Sequence, residues 1–429
     1  MKGIQWFNNW RILVKRFASA RIWSLLAFLQ VLILVALLLN WPPIFLTLAV
    51  PDAEATYWLS LKQEFEAQNP DIRINLIKLA EPQGDVTSEL RRLCDINLIT
   101  GTSDCDLIYT DVIWVPEFAD KGVLMNLSNR IPESELAKFL TSDVQSGQYQ
   151  GELYRIPFRS EVSLLYYRKD LLEQAGYKPP TTFQQLREMS KALQQQGLAK
   201  WGYLWQGRQY EGLAAMFIEV LHGHGGFWIN PQTLEVGIDQ PEALAAVKFL
   251  IGTIEEKISP PKTYNEAESF AEFKQGNAVF LRNWHDVWIK ANADNSPIRG
   301  RVGIQPMRLH TEVGSGGGCN GSWGLGIANS SKYPEQAWKA IKYLTSEEAQ
   351  RQFMQSTSYL PSRKALFQDP KLLKAVDNSI LRPPIPQYAE ASEILQRYLS
   401  AVLKKQLSPE QAMKEAAQET RQLLRTSQF

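Results

Sequence analysis

Cysteine, histidine and runs of one charge are scarce in this chain of 429 residues, and each scarcity removes a class of function. Three cysteines, Cys94, Cys105 and Cys319, are too few for a disulfide scaffold and odd in number. An oxidising compartment would permit one bridge, Cys94 to Cys105, across the turn between them. Four histidines and three thiols show no compact ligand spacing, so no metal site is expected. His222 and His224 in HGHGG read as turn or pocket residues. The glycine-rich stretch from Gly314 to Gly318 lacks the spacing and the lysine of a phosphate loop, and no cofactor is expected. No basic cluster interleaved with aromatics follows residue 51, which removes nucleic acid as a partner. Neither an internal repeat nor a low-complexity stretch stands out.

What is present starts at the N-terminus. Arg11, Lys15, Arg16 and Arg21 precede an apolar run from Ile22 to Trp41, broken only by Ser24, Gln30 and Asn40. About twenty residues at 1.5 Å rise span a hydrocarbon core of about 30 Å. The basic flank favours an N-terminus left in the cytoplasm. Pro42 and Pro43 end the helical pattern, and Ile44 to Val50 reads at once as a buried strand. The nearest approximation to a cleavage box, around Leu48 to Val50, falls inside that strand, and no cysteine follows to take a lipid. Residues 1–43 are therefore expected to be a basic N-terminus and uncleaved signal anchor, a transmembrane helix that makes the membrane a partner. The remainder would sit on the outer face of the cytoplasmic membrane, or in the periplasm if the segment is a cleaved signal. The first 51 residues hold five basic side chains and no acid, which leaves 41 basic and 45 acidic residues in a mildly acidic exported part.

The exported part reads as alternating strands and helices. Ile44–Val50, a helical pattern from Glu54 to Asn69 and the alternating Ile72–Leu79 make a strand, helix, strand unit of a mostly parallel sheet. A helix from Thr87 to Ile99 follows, then a strand, Cys105–Tyr109, that delivers Asp111 and Trp114 where the chain leaves the sheet. Ligands of open α/β sheets collect at such strand ends. Later helices are expected at Phe183–Gln195, Tyr210–Leu221, Pro241–Glu255, Pro334–Leu344, Ala389–Leu403 and Pro409–Leu424. Two α/β lobes account for this order. Thirteen Trp and fifteen Tyr exceed what such a core needs, and several sit beside Gly, Asn or Asp. Planar rings flanked by polar groups suit a sugar, with its apolar faces and its equator of hydroxyls.

These segments resemble the extracytoplasmic solute-binding proteins of ATP-driven sugar importers, in the trehalose- and maltose-binding branch. The likeness is carried by DCDLIYTDVIWVPEFADKGVL (104–124), YRIPFRSEVSLLYYRKDLLEQAGYKPPTTFQQL (154–186), WGYLWQGRQYEGL (201–213), FKQGNAVFLRNW (273–284), GSWGLGIANSSKYPEQAWKAIKYL (321–344) and LPSRKALFQDP (360–370), in that order. The resemblance implies a type II, maltose-binding-like periplasmic-binding-protein fold of two α/β lobes joined by three hinge crossovers. Crossings are expected near Pro157–Leu164, Leu281–Trp284 and Leu344–Glu348. The first lobe would then be 44–158 plus 283–345, and the second 159–282 plus 346–429. The implied partners are a sugar, whether an oligosaccharide, a disaccharide or a glycoside, and two permease subunits driven by a cytoplasmic ATPase.

Asp111 is the leading candidate for a ligand carboxylate, since an ionised acceptor takes strong hydrogen bonds from hydroxyl donors. By position, Asp52 or Glu54 is the acid after the first strand, and Glu161 the acid at entry to the second lobe. Relatives carry Asp and often Gly in the stretch matching Glu161-Val162-Ser163, so the longer side chain alters sugar choice. Arg382 would supply a donor fork. Trp284 and Trp323 are the preferred stacking platforms, with Trp114 and Trp205 next. Tyr210 and Glu211 are candidates from the second lobe. Gly321 would let a sugar approach the backbone, and Ser322, often glycine in such proteins, would narrow the pocket. Two other readings stay open on the residues alone: a glycoside-processing enzyme using Asp111 and Glu161 as paired carboxylates, and a sugar-sensing receptor module.

Overall fold

The computed structural model describes residues 42–79, 105–357 and 359–426, with residues 28, 30 and 92 besides. Of the expected helix Thr87–Ile99 only Arg92 is among the described residues, and Cys94 lies outside them. Among the described residues, a six-stranded and a four-stranded sheet carry the fold. The strands are β1 (Ile44–Pro51), β2 (Ile72–Leu79), β3 (Leu107–Asp111), β4 (Ile156–Ser160), β5 (Ser163–Arg168), β6 (Trp201–Leu204), β7 (Ala278–Trp284), β8 (Val302–Pro306), β9 (Trp323–Ile327) and β10 (Leu360–Pro361). The first sheet runs β10-β4-β9-β3-β1-β2 and the second β8-β5-β7-β6.

β1 and β2 pair in parallel from Ile44 opposite Ile72 to Pro51 opposite Leu79, with helix α1 (Ala55–Gln68) crossing between them. α1 buries Trp58, Leu61 and Phe65, and Pro70 stops it one residue past its Asn69 cap. The inner strands β3, β4 and β9 are buried at every position, as strands covered on both faces must be. β9 runs antiparallel to both neighbours and sets Trp323 opposite Asp111. In the second sheet β5 is antiparallel to β7 and β8, and β6 is parallel to β7.

Local sequence explains the helix starts. In α2 (Thr141–Gln145) the cap residue Leu140 has no side-chain acceptor and the Asp377 carboxylate takes the Thr141 amide, whereas α3 (Phe183–Gln195) opens on Thr182, whose hydroxyl accepts from the Gln185 amide at 3.1 Å. Helix α4 (Glu211–Gly223) follows, then α5 (Pro241–Glu255) with proline in its first turn. Helix α6 (Glu266–Lys274) opens on a reciprocal capping box between Asn265 and Glu268. α7 (Pro334–Leu344) and α8 (Glu347–Ser356) pack on α1 over the first sheet. α9 (Tyr388–Leu403) and α10 (Pro409–Thr426) pack on α4 and α5 on the second-lobe side.

Three corrections to the sequence reading follow. Among the described residues no helix is long and apolar enough to cross a membrane, so the fold is drawn without the expected N-terminal transmembrane helix, signal anchor or membrane partner. Of Ile22–Trp41, on which that expectation rested, only Phe28 and Gln30 are among the described residues. Next, the chain does not leave its sheet at Leu281–Trp284, because β8 returns to the same sheet, although 302–306 falls within the stretch expected in the first lobe. Finally, Leu344–Glu348 merely joins two helices that pack on the same α1, and β10 still pairs with β4. The first passage from sheet to sheet, 161–162 between β4 and β5, falls within the expected Pro157–Leu164, and the second comes within 307–322, between β8 and β9. A third, within 362–387, leads from β10 to α9. The three lie side by side: Val162 bridges Asn320, and Cys319 bridges Ile380.

Candidate functional site

The expected acids and the expected arginine converge on these passages. Asp111 ends β3, caps the following turn through the Ile113 amide at 3.1 Å, and accepts from Arg382 Nη2 at 3.0 Å. Arg382 stands on the third passage and also donates through Nη1 to Glu211 Oε1 at 2.9 Å and through Nη2 to the Asn320 carbonyl at 3.2 Å. Glu211, the first residue of α4, further accepts from Tyr388 at 2.5 Å and from Ser392 at 2.6 Å. One guanidinium therefore joins an acid from each lobe. Arg382 is 5% exposed, and its Nε is a buried donor with no partner among the described residues.

A second cluster lies on the first passage. Arg159 in β4 donates to Glu54 Oε1 at 3.0 Å and to Glu161 Oε2 at 2.9 Å, while its Nε donates to the Tyr109 hydroxyl at 2.7 Å. Glu54 also accepts from the Tyr109 hydroxyl at 3.0 Å, so it is the deeper and the better hydrogen-bonded of the two acids. A single guanidinium cannot offset both carboxylates, and Asp286 adds a third negative field. Burial therefore pushes Glu161 up to about 8, with Arg159 opposing. Burial likewise pushes the Tyr109 and Tyr359 hydroxyls up.

Indoles border both clusters. Trp323, 5% exposed, packs against Tyr109 with ring centres 4.9 Å apart, and the Arg159 guanidinium lies 5.1 Å from its ring. Trp284 ends β7 half-buried, with the Arg282 guanidinium 4.4 Å from its ring and its Nε1 donating to Glu266 at 3.2 Å. Glu266 also accepts from Tyr210, which joins that residue to the same wall. Gly321 donates its amide to the Glu161 carbonyl at 2.9 Å, and a Cβ there would meet the Trp284 ring at 3.2 Å. The backbone thus passes close enough to this indole that a side chain at 321 would press on the ring.

Other expected residues stand elsewhere. Asp52 is exposed and pairs loosely with Lys78 at 3.6 Å, so of the two acids after β1 only Glu54 faces the cluster. Trp205 is a core residue of the second lobe, donating to Thr253 at 3.2 Å and Ser259 at 3.1 Å. Trp114 is buried on the turn after Asp111, stacked on Phe118 at 6.3 Å. Ser322 does not narrow the site: its hydroxyl accepts from Arg155 Nη2 at 3.1 Å inside the first lobe. Cys319 is a buried thiol pushed up to about 12, chiefly by desolvation. Sequence reasoning missed Arg159, although an arginine in the otherwise apolar strand Ile156–Ser160 had to carry partners. It also missed Glu266, Asn320 and Tyr388. Among the described residues no group of acids, histidines and cysteines could hold a metal ion.

Comparison with known proteins places this geometry. A family model described as bacterial extracellular solute-binding protein matches residues 51–351. A probable ABC transporter-binding protein of Deinococcus radiodurans is 30% identical over 364 residues, covering 79% of this chain and 84% of its own. A maltotriose-binding protein of Pyrococcus abyssi is 24% identical over 365 residues, covering 82% and 75%. Among solved structures, maltose-bound T. maritima MalE3 is 34% identical, with a TM-score of 0.79 over 89% of this chain and all of that one. The chain belongs to the bacterial extracellular solute-binding protein family, in the maltose-binding-protein-like branch of ABC sugar transport.

Proposed function

We propose that this chain binds a short glucose-based oligosaccharide of the maltose and maltotriose class where its two lobes meet, and delivers it to an ABC permease pair driven by a cytoplasmic ATPase. The family and fold are those of solute-binding transport proteins rather than of catalysts, and they act outside the cytoplasm. The observation that carries the ligand class is the wall made by Gly321 and Trp284, beside Trp323 and two clusters of acids each paired to one arginine. An indole approached closely by backbone offers an apolar face to a pyranose, while Asp111, Glu161, Glu211 and the spare Arg382 donor meet its hydroxyls. Every hydroxyl buried without a partner costs about 1–3 kcal/mol, so such a site selects by unpaired groups as well as by attraction. The named relatives support this class: one is called maltotriose-binding, and the solved structure named above is described as maltose-bound.

In this reading Trp284 and Trp323 stack, Glu54 and Arg159 orient Glu161, and Tyr210 acts through Glu266. Glu161 departs from the shorter acid of relatives, which shifts selectivity toward ligands reaching its longer carboxyl. Calorimetric titration with maltose, maltotriose, trehalose, sucrose and glucosylglycerol, with product analysis of the same mixtures, tests the proposal. Saturable binding of maltose or maltotriose without turnover is expected. No binding of either, or preference for a non-glucosyl ligand, overturns the ligand class.

A further inference from the structure

The three passages are gripped from both sides by buried carboxylates that the ligand-site reading does not use. On the first-lobe side, Asp143 in α2 is fully buried and accepts from Ser160 Oγ at 3.1 Å, Asn320 Nδ2 at 2.9 Å and Ser362 Oγ at 2.7 Å. Asn320 Nδ2 also donates to Ser379 Oγ at 2.9 Å, so one carboxylate holds the end of β4, the second passage and, at Ser362, the start of the third, and reaches the third again through an amide. On the second-lobe side, Glu219 in α4, 3% exposed, accepts from Ser163 Oγ at 2.5 Å and from the Cys319 amide at 3.2 Å. Arg282, fully buried in β7, donates to both of its oxygens and fixes it to the second sheet.

The spacing of these straps locates the bend. On the first passage Ser160 is tied to one lobe and Ser163 to the other, leaving Glu161 and Val162 between them. On the second, the strapped groups are neighbours: the Cys319 amide belongs to Glu219 and the Asn320 side chain to Asp143. The third passage follows the second by backbone bonds, Ile380 amide to Gly318 carbonyl at 2.8 Å and Asn320 amide to Ile380 carbonyl at 2.9 Å. Arg382 comes two residues later.

We propose that Asp143 and Glu219 are paired positioning residues that confine lobe rotation to Glu161-Val162 and the Cys319-Asn320 junction. Two of the groups assigned to the ligand, Glu161 and Arg382, thus stand on or just past the pivot, and their placement is set by the straps. The inference takes over the ligand reading given above for those two residues. Cutting the straps spreads the bend over more residues and lowers the fraction of molecules with Glu161 and Arg382 aligned. Apparent affinity falls by that fraction whatever the ligand, which a contact residue would not do.

The test is the double variant Ser160→Ala, Ser163→Ala, which removes one neutral hydroxyl from each side and strands no charge. Asp143→Asn is the stronger second variant. Maltose and maltotriose are titrated against the full chain, melting is followed in parallel, and small-angle scattering measures the radius of gyration without ligand. Both dissociation constants should rise by one common factor, about fivefold, with their ratio unchanged. The ligand-free radius of gyration should shift in the same variant. Unchanged dissociation constants with only a lowered melting temperature would reduce the straps to scaffolding and overturn the proposal, as would a changed ratio between the sugars. If the unaltered chain binds neither sugar, the ligand reading fails, and the scattering arm alone decides the hinge: an unchanged radius of gyration overturns it, a shifted one sustains it.

Discussion

Replacing Arg382 by methionine tests how the two lobes share charge. The guanidinium side chain is 4% exposed and lies 3.0 Å from Asp111 and 2.9 Å from Glu211, whose side chains are 10% and 20% exposed. Methionine fills most of the volume, so cavity formation is minor and the change is mainly electrostatic. Two shielded carboxylates then face each other without a counter-charge. Removing one partner of a buried pair costs about 3–5 kcal/mol. Asp111 keeps the Ile113 amide, and Glu211 keeps Tyr388 and Ser392, which places the loss near the lower end, about 3 kcal/mol. With an unfolding entropy of about 2.1 cal/mol/K per residue, a body of this size loses about 0.8 kcal/mol per degree, so melting should fall by about 4 °C. Scanning calorimetry on Arg382→Met, alone and combined with Asp111→Asn and Glu211→Gln, closes the cycle. Once both acids are neutral, losing the arginine should cost less than about 1 kcal/mol. An equal cost in the neutral background would refute the shared-charge argument and leave packing as the whole of the effect.

Other expectations concern single residues. Glu161, raised from 4.5 to about 8, binds its proton more tightly in the folded chain. Its contribution to stability is therefore full below about 4.5 and is lost as pH rises through about 8. Melting temperature should decline over that window more steeply in the unaltered chain than in Glu161→Gln, and parallel curves would contradict the assignment. Gly321→Ala pushes a methyl against Trp284 at 3.2 Å and should weaken maltose binding by about 1 kcal/mol, roughly fivefold, with little change in melting. Equal affinity would remove this indole from the ligand wall. Trp205→Phe should cost about 1 kcal/mol of stability through the bonds to Thr253 and Ser259 and leave sugar affinity untouched. A specific loss of binding there would return Trp205 to the site.

The local elements were legible in the sequence because their signals are local. Phe183–Gln195 and Pro241–Glu255 begin at a threonine cap and a proline, and a helical stripe of apolar residues does the rest. The first unit was equally plain, since Ile44–Pro51 and Ile72–Leu79 carry strand patterns either side of one helix. The passages between sheets were less so, because strand pairing is a contact between distant segments. Leu281–Trp284 reads as an exit from the sheet when taken alone, and only the return of Val302–Pro306 beside β5 shows that the chain stays. Within the site, Asp111 and Glu161 were readable as charged residues at strand ends, and Arg382 as a cation in the irregular stretch before Pro383 and Pro384. Their partners were not, since nothing in sequence spacing tells which of several acids Arg159 or Arg382 will meet.

The placement of groups around the pivot bears on how such a binder can be retuned. Glu161 and Arg382 stand on passages that also carry the bend, so exchanging either to favour a new sugar alters mechanics and recognition together. Trp284 and Trp323 stand at strand ends off the passages, paired with Ser163 of β5 and with Asp111 of β3. An evolving or engineered lineage therefore has a separable dial in the indoles and a coupled one in the charged pair. Variants selected for new ligands should accumulate changes first at the strand positions, where recognition can drift without detuning the motion.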